Sequence, residues 1–265
     1  MNTMGTSTPA ELRFHSLRAW NWSMAALHFI QGVVMVAISN DSSLPVVTSY
    51  LRIDPTNPTF GIAPTPEHWF DLRIGPAVAV FLFLSALAHF LLAGPLRHWY
   101  EANLAKGMNK LRWIEYMLSS SVMIWIIAML CGVYDFWLLT ALFSLNAIMN
   151  LMGLVMEVHN QSTTKTSWLA YWIGVFAGAI PWLVIFTYFG KAISSAGVNV
   201  PGFVYAIVFT IFATFSIFAL NMVLQYKKVG PWRDYLYGER AYMILSLVAK
   251  SLLAWEIFSG TLRPS

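Results

Sequence analysis

Lys250 lies near the middle of the last apolar stretch of the chain, Ala241-Tyr-Met-Ile-Leu-Ser-Leu-Val-Ala-Lys-Ser-Leu-Leu-Ala-Trp-Glu-Ile-Phe-Ser-Gly260. A charged lysine at the centre of a membrane helix costs ~2.5–3.5 kcal/mol on insertion scales, so such residues usually face a bundle interior and serve a function. A primary amine held there suits a Schiff base to a carbonyl cofactor, because lysine is the usual attachment point for that linkage. The competing reading is one half of a gated ion pair in a secondary transporter. Glu115, in Lys110-Leu-Arg-Trp-Ile-Glu-Tyr-Met-Leu-Ser-Ser-Ser121, sits one turn inside another apolar segment. Ser119 follows it at i+4 on the same helical face, and Leu118 keeps the flank of that face apolar. A carboxylate in that place needs a positive partner. A protonated Schiff base on Lys250 is one, each charge favouring the ionised form of the other; Arg112, three residues earlier, is another.

Two histidines add to this set. His28 has Gln31 three residues after it, and His89 has Ser85 four before it, so each pair shares a helical face. One reading is a hydrated polar cavity that holds or relays a proton; the other is a pair of ordinary interhelical hydrogen bonds. Arg112, Glu157, Glu239 and Arg240 fall at helix ends on one side and are expected to form one ionic network of structural kind. Glu256 lies about 9 Å of helical rise beyond Lys250 and reads as an interfacial carboxylate. No His, Cys and carboxylate spacing of the familiar zinc kinds is present, and no nucleophile, base and oxyanion set points to an enzyme.

The elements that must position these residues are helices in a membrane. The chain has 265 residues, 58% hydrophobic and 11% charged, with a mean hydropathy of +0.61, far from the balance of a soluble domain. Seven apolar segments, at about 18–39, 74–96, 112–133, 136–157, 168–190, 202–225 and 240–260, each approach the ~20 residues that cross a bilayer. They define a single all-α domain over 1–265, with the first segment expected to stay as a helix rather than be cleaved. The connection from Asn40 to Asp71 carries five prolines, Pro45, Pro55, Pro58, Pro64 and Pro66; a short β-hairpin is expected there, as a dimer contact or as a solvated cap. Cys131-Gly-Val-Tyr-Asp135 is so short a turn that the helices on either side must be antiparallel neighbours. Pro181 is expected to kink the fifth segment. Trp172, Trp182, Phe215, Trp255, Met123 and Met149 are able to wall a flat apolar ligand, although the same residues also suit plain core and membrane belt.

Charge sets the orientation. Of the 16 Lys and Arg residues, eleven (Arg13, Arg18, Arg97, Lys106, Lys110, Arg112, Lys165, Lys227, Lys228, Arg233 and Arg240) fall on the amino-terminal side of the spans. Four (Arg52, Arg73, Lys191 and Arg263) fall opposite. The positive-inside rule then places the amino terminus in the cytoplasm and the carboxyl terminus outside the cell. The net charge of +4 bears on this topology and not on nucleic acid.

Three runs, Arg112-Trp-Ile-Glu-Tyr-Met-Leu-Ser-Ser-Ser-Val-Met-Ile124, Val200-Pro-Gly-Phe-Val-Tyr205 and Gly238-Glu-Arg-Ala-Tyr-Met-Ile-Leu-Ser-Leu-Val-Ala-Lys-Ser-Leu-Leu-Ala-Trp255, resemble the heliorhodopsins, retinal proteins inverted in the membrane relative to type-1 microbial rhodopsins. The likeness extends over nearly the whole chain. It implies a seven-transmembrane-helix rhodopsin-like bundle in which Lys250 carries all-trans retinal and Glu115 is the Schiff-base counterion. Ser246 then stands four residues before the lysine, where type-1 pumps have a second carboxylate. His28 and His89 would line a cytoplasmic-side cavity for the Schiff-base proton, with Gln31 and Ser85. The same likeness makes Tyr116, Ser119, Ser120, Asn146, Met149, Trp172, Pro181, Phe215 and Trp255 pocket residues beside Met123, and implies a homodimer.

Three functions follow for comparison. A light sensor with a slow photocycle would signal to a cytoplasmic partner. A light-gated ion or proton channel would use Glu256 as an outer carboxylate. A retinal-free secondary transporter would be colourless. Ion pumping is disfavoured, because Ile126 stands eleven residues after Glu115, where a type-1 proton pump has its donor. The basic residues Lys227, Lys228 and Arg233 suit anionic lipid or a docking partner.

Overall fold

A computed structural model of the chain describes residues 9–53, 62–195 and 200–262. Pro55 and Pro58 of the first connection, and Arg263 of the charge distribution, lie outside the described residues. The described residues form α1 (Pro9–Ala37), β1 (Ser43–Ile53), β2 (Ile62–Arg73), α2 (Ile74–Ala93), α3 (Arg97–Leu104), α4 (Lys110–Leu130), α5 (Phe136–His159), α6 (Leu169–Ser194), α7 (Gly202–Tyr226) and α8 (Tyr235–Ile257). A 3₁₀ turn at Gly230–Arg233 precedes α8, and a π-helical turn at Phe258–Leu262 ends it.

Among the described residues, six helices, α2 and α4 to α8, are long and apolar enough to cross a membrane. α1 is longer than any of them at 29 residues, but Asn21, His28 and Gln31 interrupt its apolar sequence. Asn21 and His28 are buried, so the interruption faces inward. The bundle is apolar outside and polar within: Phe29, Phe176, Leu183 and Phe209 are exposed, whereas His28, Ser85, Glu115 and Lys250 are buried. That distribution suits lipid as the surrounding solvent.

Several boundaries differ from the sequence expectation. α1 begins near Pro9 rather than at 18, and its first turns pack Phe14 and Leu17 against Tyr100, Leu104 and Met243. The stretch between the second and third apolar segments, expected to be a plain connection, forms α3, which buries Tyr100, Asn103 and Leu104. α4 starts at Lys110 because Asn109 caps it, its side chain accepting from Arg112 N at 3.2 Å. It stops at Leu130 rather than 133, because Gly132 takes a left-handed φ of 100° and turns the chain. α8 starts at Tyr235 rather than 240, capped by Asp234, which accepts from Leu236 N. α6 runs unbroken through Pro181.

β1 and β2 pair antiparallel from Ser43 opposite Arg73 to Ile53 opposite Ile62, with a register shift at Val46/Val47. At 11 and 12 residues the hairpin is longer than expected. Val47 N donates to Tyr134 O at 2.9 Å, which fastens the hairpin to the turn between α4 and α5. Asn40 Nδ2 and Ser42 Oγ both donate to Thr261 O, which ties the same end to the close of α8. This hairpin side is thus one face of the bundle. The opposite, basic side gathers the start of α1, α3, the start of α4, the end of α5 and the start of α8.

Candidate functional site

Lys250 and Glu115 meet at the centre of the bundle. Lys250 Nζ lies 2.8 Å from Glu115 Oε1 and 2.8 Å from Ser246 Oγ, and the two residues are only 2% and 7% exposed. Ser246 reaches the amine because i and i+4 share a helical face. Ser85 Oγ lies 2.6 Å from the same Glu115 oxygen, so the carboxylate is held from α2 and α8 at once. The amine also sits 5.2 Å from the centre of the Tyr116 ring, whose hydroxyl donates to Tyr242 O at 3.0 Å. A buried ion pair without further hydrogen bonds would be costly, and these serines provide them.

A cavity of about 270 Å³ begins at Lys250 and extends between α4, α5, α6 and α7. Tyr116, Ser120 and Met123 line it from α4, Met149 and Asn150 from α5, Tyr171, Gly174, Gly178 and Trp182 from α6, and Phe212 and Phe215 from α7. Its walls are aromatic and apolar, with polar groups grouped at the lysine end and along Ser120 and Asn150. Gly174 and Gly178 keep α6 close to α5, since an added Cβ would meet Met149 in both cases.

Other expected pocket residues stand elsewhere. Trp172 is 63% exposed and Trp255 42% exposed, and neither lines the cavity. The cause is helical phase: Trp172 stands one residue, about 100°, from the lining Tyr171, and Trp255 is turned about 140° from Lys250. Pro181 is buried beside Trp182 but does not line the cavity. Asn146 sits behind the wall, donating to Ser120 Oγ at 2.7 Å and Ser121 Oγ at 3.0 Å. Ser119 is fully buried on the Glu115 face, outside the cavity.

The histidines come together as stacked rings, their centroids 5.8 Å apart and their planes 8° from parallel. His89 Nδ1 lies 2.8 Å from Asn21 Oδ1. Neither ring nitrogen of His28, nor Gln31 Oε1, has a hydrogen-bond partner among the described residues. Ser85, expected to serve the histidines, turns to Glu115 instead. A second cavity of about 20 Å³, room for roughly one water, is bordered by Asn21, His89, Arg112, Glu115 and Glu239.

Beyond it lies the ionic network. Arg112 pairs with both Glu157 and Glu239, which removes it as the partner of Glu115. Its guanidinium also stands 4.0 Å from the Tyr242 ring centre. Arg240 is not part of this network: next to Glu239 in sequence, it points about 100° away and contacts Ser16 Oγ at 3.3 Å. Three members escaped the sequence reading. Tyr100 Oη donates to Glu239 Oε1 at 3.0 Å, Asn109 gives its amides to Glu239 and Glu157, and Tyr235 Oη donates to Glu157 Oε1 at 3.1 Å. Tyr100 and Asn109 lie between the apolar segments, where no span was expected. Asn21 had a signal: it stands seven residues before His28, two turns up the same face.

Heliorhodopsin is the family whose model matches, over residues 17–262. The chain belongs to the heliorhodopsin family. Membership implies a retinal chromophore in a multi-pass membrane protein, and the heliorhodopsin match contains every residue of the site just described. No curated protein sequence matches the chain.

Proposed function

We propose that the protein is a light sensor holding all-trans retinal on Lys250, with Glu115 as the single counterion, and that it does not pump ions. What carries this reading is the buried Lys250–Glu115 pair at the end of an apolar cavity. The residues fit the cofactor: one amine at the cavity's end, flat aromatic walls from Trp182, Phe212 and Phe215, and a carboxylate within reach of the nitrogen. Bound there, retinal supplies a visible absorption and a light-driven isomerisation. Glu115 balances the positive nitrogen, and Ser85 and Ser246 hold carboxylate and nitrogen in place. A proton leaving Lys250 Nζ has a polar route past Glu115 to the His89 ring, which borders the small cavity with Glu115.

Proton pumping of the type-1 kind uses a second carboxylate beside the nitrogen and a donor carboxylate at the place that Ile126 holds here. Ser246 stands where a second would be, and Ile126 is buried among Ile124, Ile127 and Met129. Glu256, the outer carboxylate of a channel reading, accepts from Thr210 Oγ1 at 3.0 Å, away from the Lys250 pair. The charge distribution favours a cytoplasmic amino terminus and an extracellular hairpin, with seven spans, α1 included. Homodimerisation and a cytoplasmic signalling partner complete the proposal.

Flash spectroscopy together with proton and current recording tests it. Expected are a slow, fully reversible absorbance cycle, no sustained light-driven pH change in cell suspensions, and no photocurrent under voltage clamp. A sustained pH change abolished by a protonophore would make the protein a pump, and a steady photocurrent would make it a channel.

A further inference from the structure

The Schiff-base proton has two rings to choose from, and they are not equivalent. Asn21 Nδ2 donates to Leu17 O at 3.0 Å, which fixes the amide, because the flipped form would set Oδ1 against a carbonyl oxygen. Oδ1 therefore faces His89 Nδ1 at 2.8 Å. An amide oxygen only accepts, so Nδ1 must carry the hydrogen, and the neutral ring keeps its lone pair on Nε2. We infer that Asn21 is a positioning residue that locks His89 with Nδ1 protonated and Nε2 open, making His89 rather than His28 the proton-accepting ring. This rests on the retinal photoreceptor reading.

Support comes from what lies behind each ring. The two nitrogens of His28 are buried with no hydrogen-bond partner among the described residues, so no described side chain sets its tautomer or steadies its charged form. Behind His89 stand further polar groups: Asn21 and Glu239 border the small cavity with it, and Tyr100 Oη donates to Glu239 Oε1 at 3.0 Å. Burial, and then the Glu239 charge beside it, push the Tyr100 phenol well above its ordinary range, so it stays a donor. An amide oxygen that accepts from Nδ1 stabilises positive charge on the ring. Glu115 from α4, Lys250 from α8 and His28 from α1 are the other charged or titratable groups acting on His89. Arg112 and Glu239 face it across the small cavity.

The test is nitrogen-15 NMR of the full chain, histidine-labelled and reconstituted with all-trans retinal in lipid, with the His89 signals assigned by their loss in His89→Gln. The dark state at neutral pH is expected to show Nδ1 protonated and Nε2 bare; Nε2 protonated instead overturns the inference. Asn21→Leu should lose the preference, and Asn21→Asp, which keeps an acceptor oxygen, should retain it; an unchanged tautomer in Asn21→Leu overturns the positioning role. In flash spectroscopy Asn21→Leu should slow loss of the Schiff-base proton at least about tenfold, the scale of one hydrogen bond to a charged group, and an unchanged rate counts against it. If Asn21→Leu takes up no retinal, the wild-type tautomer and Asn21→Asp still decide. A wild type that stays colourless with retinal defeats the photoreceptor reading, whereas a coloured one with the wrong tautomer defeats this inference alone.

Discussion

At the scale of single residues, the site turns on matched charges buried in the bundle. Glu115 touches the Lys250 amine and Ser85, and Ser246 holds the same amine from α8, so the Glu115 charge sets the energy of any positive nitrogen on Lys250. Glu115→Gln removes that charge and should shift the visible band to the red, leaving a spectrum that no longer changes on acidification. A band at the wild-type position that still titrates would name another counterion. Arg112 holds two buried carboxylates apart. Arg112→Met should cost ~3–5 kcal/mol, the range for removing one partner from a buried ionic cluster, read as a large fall in thermal unfolding temperature. A variant as stable as wild type would mean that the carboxylates are held by Tyr100, Asn109 and Tyr235 alone.

At the scale of elements, close helix packing shapes the cavity. An added Cβ on Gly178 would come within 2.2 Å of Met149 Sδ, whereas one on Gly153 would meet the Trp113 ring at 2.4 Å. Met149 is flexible and lines the cavity, so Gly178→Ala should push it inward and slow retinal uptake with little loss of stability. Trp113 is rigid and buried, so Gly153→Ala should destabilise by ~1–3 kcal/mol, the usual cost of overpacking. Uptake rates and unfolding temperatures measured side by side check the contrast; equal effects on both would refute it. Much of this scale was legible in the sequence. Apolar length gave the long helices, and the short Cys131–Asp135 turn gave the antiparallel α4–α5 pair. Lys250 and Glu115 were legible because a charge inside an apolar run has few explanations. Trp172 and Trp255 were misplaced because aromatics suit a cavity wall and a lipid face equally, and only helical phase separates them. The Arg112, Glu157 and Glu239 network was expected, without Arg240's departure from it; Tyr100 and Asn109 were not legible, since each depends on which helices meet, and a single chain pattern does not encode that.

At the scale of the whole molecule, the hairpin side and the basic side give the bundle a direction. The proposed orientation puts the hairpin outside the cell. Because Cys131 is buried, single cysteines report sidedness cleanly. Thr65→Cys on the hairpin should react with a membrane-impermeant maleimide on intact cells, and Ser162→Cys at the end of α5 only after lysis. The reverse pattern would invert the orientation.

The central claim, that Lys250 is where a retinal chromophore attaches, is tested most directly by colour. Wild type and Lys250→Ala are expressed with and without all-trans retinal, and their visible spectra recorded. A visible band is predicted only for wild type with retinal. A coloured Lys250→Ala protein, or a colourless wild type, would contradict the account.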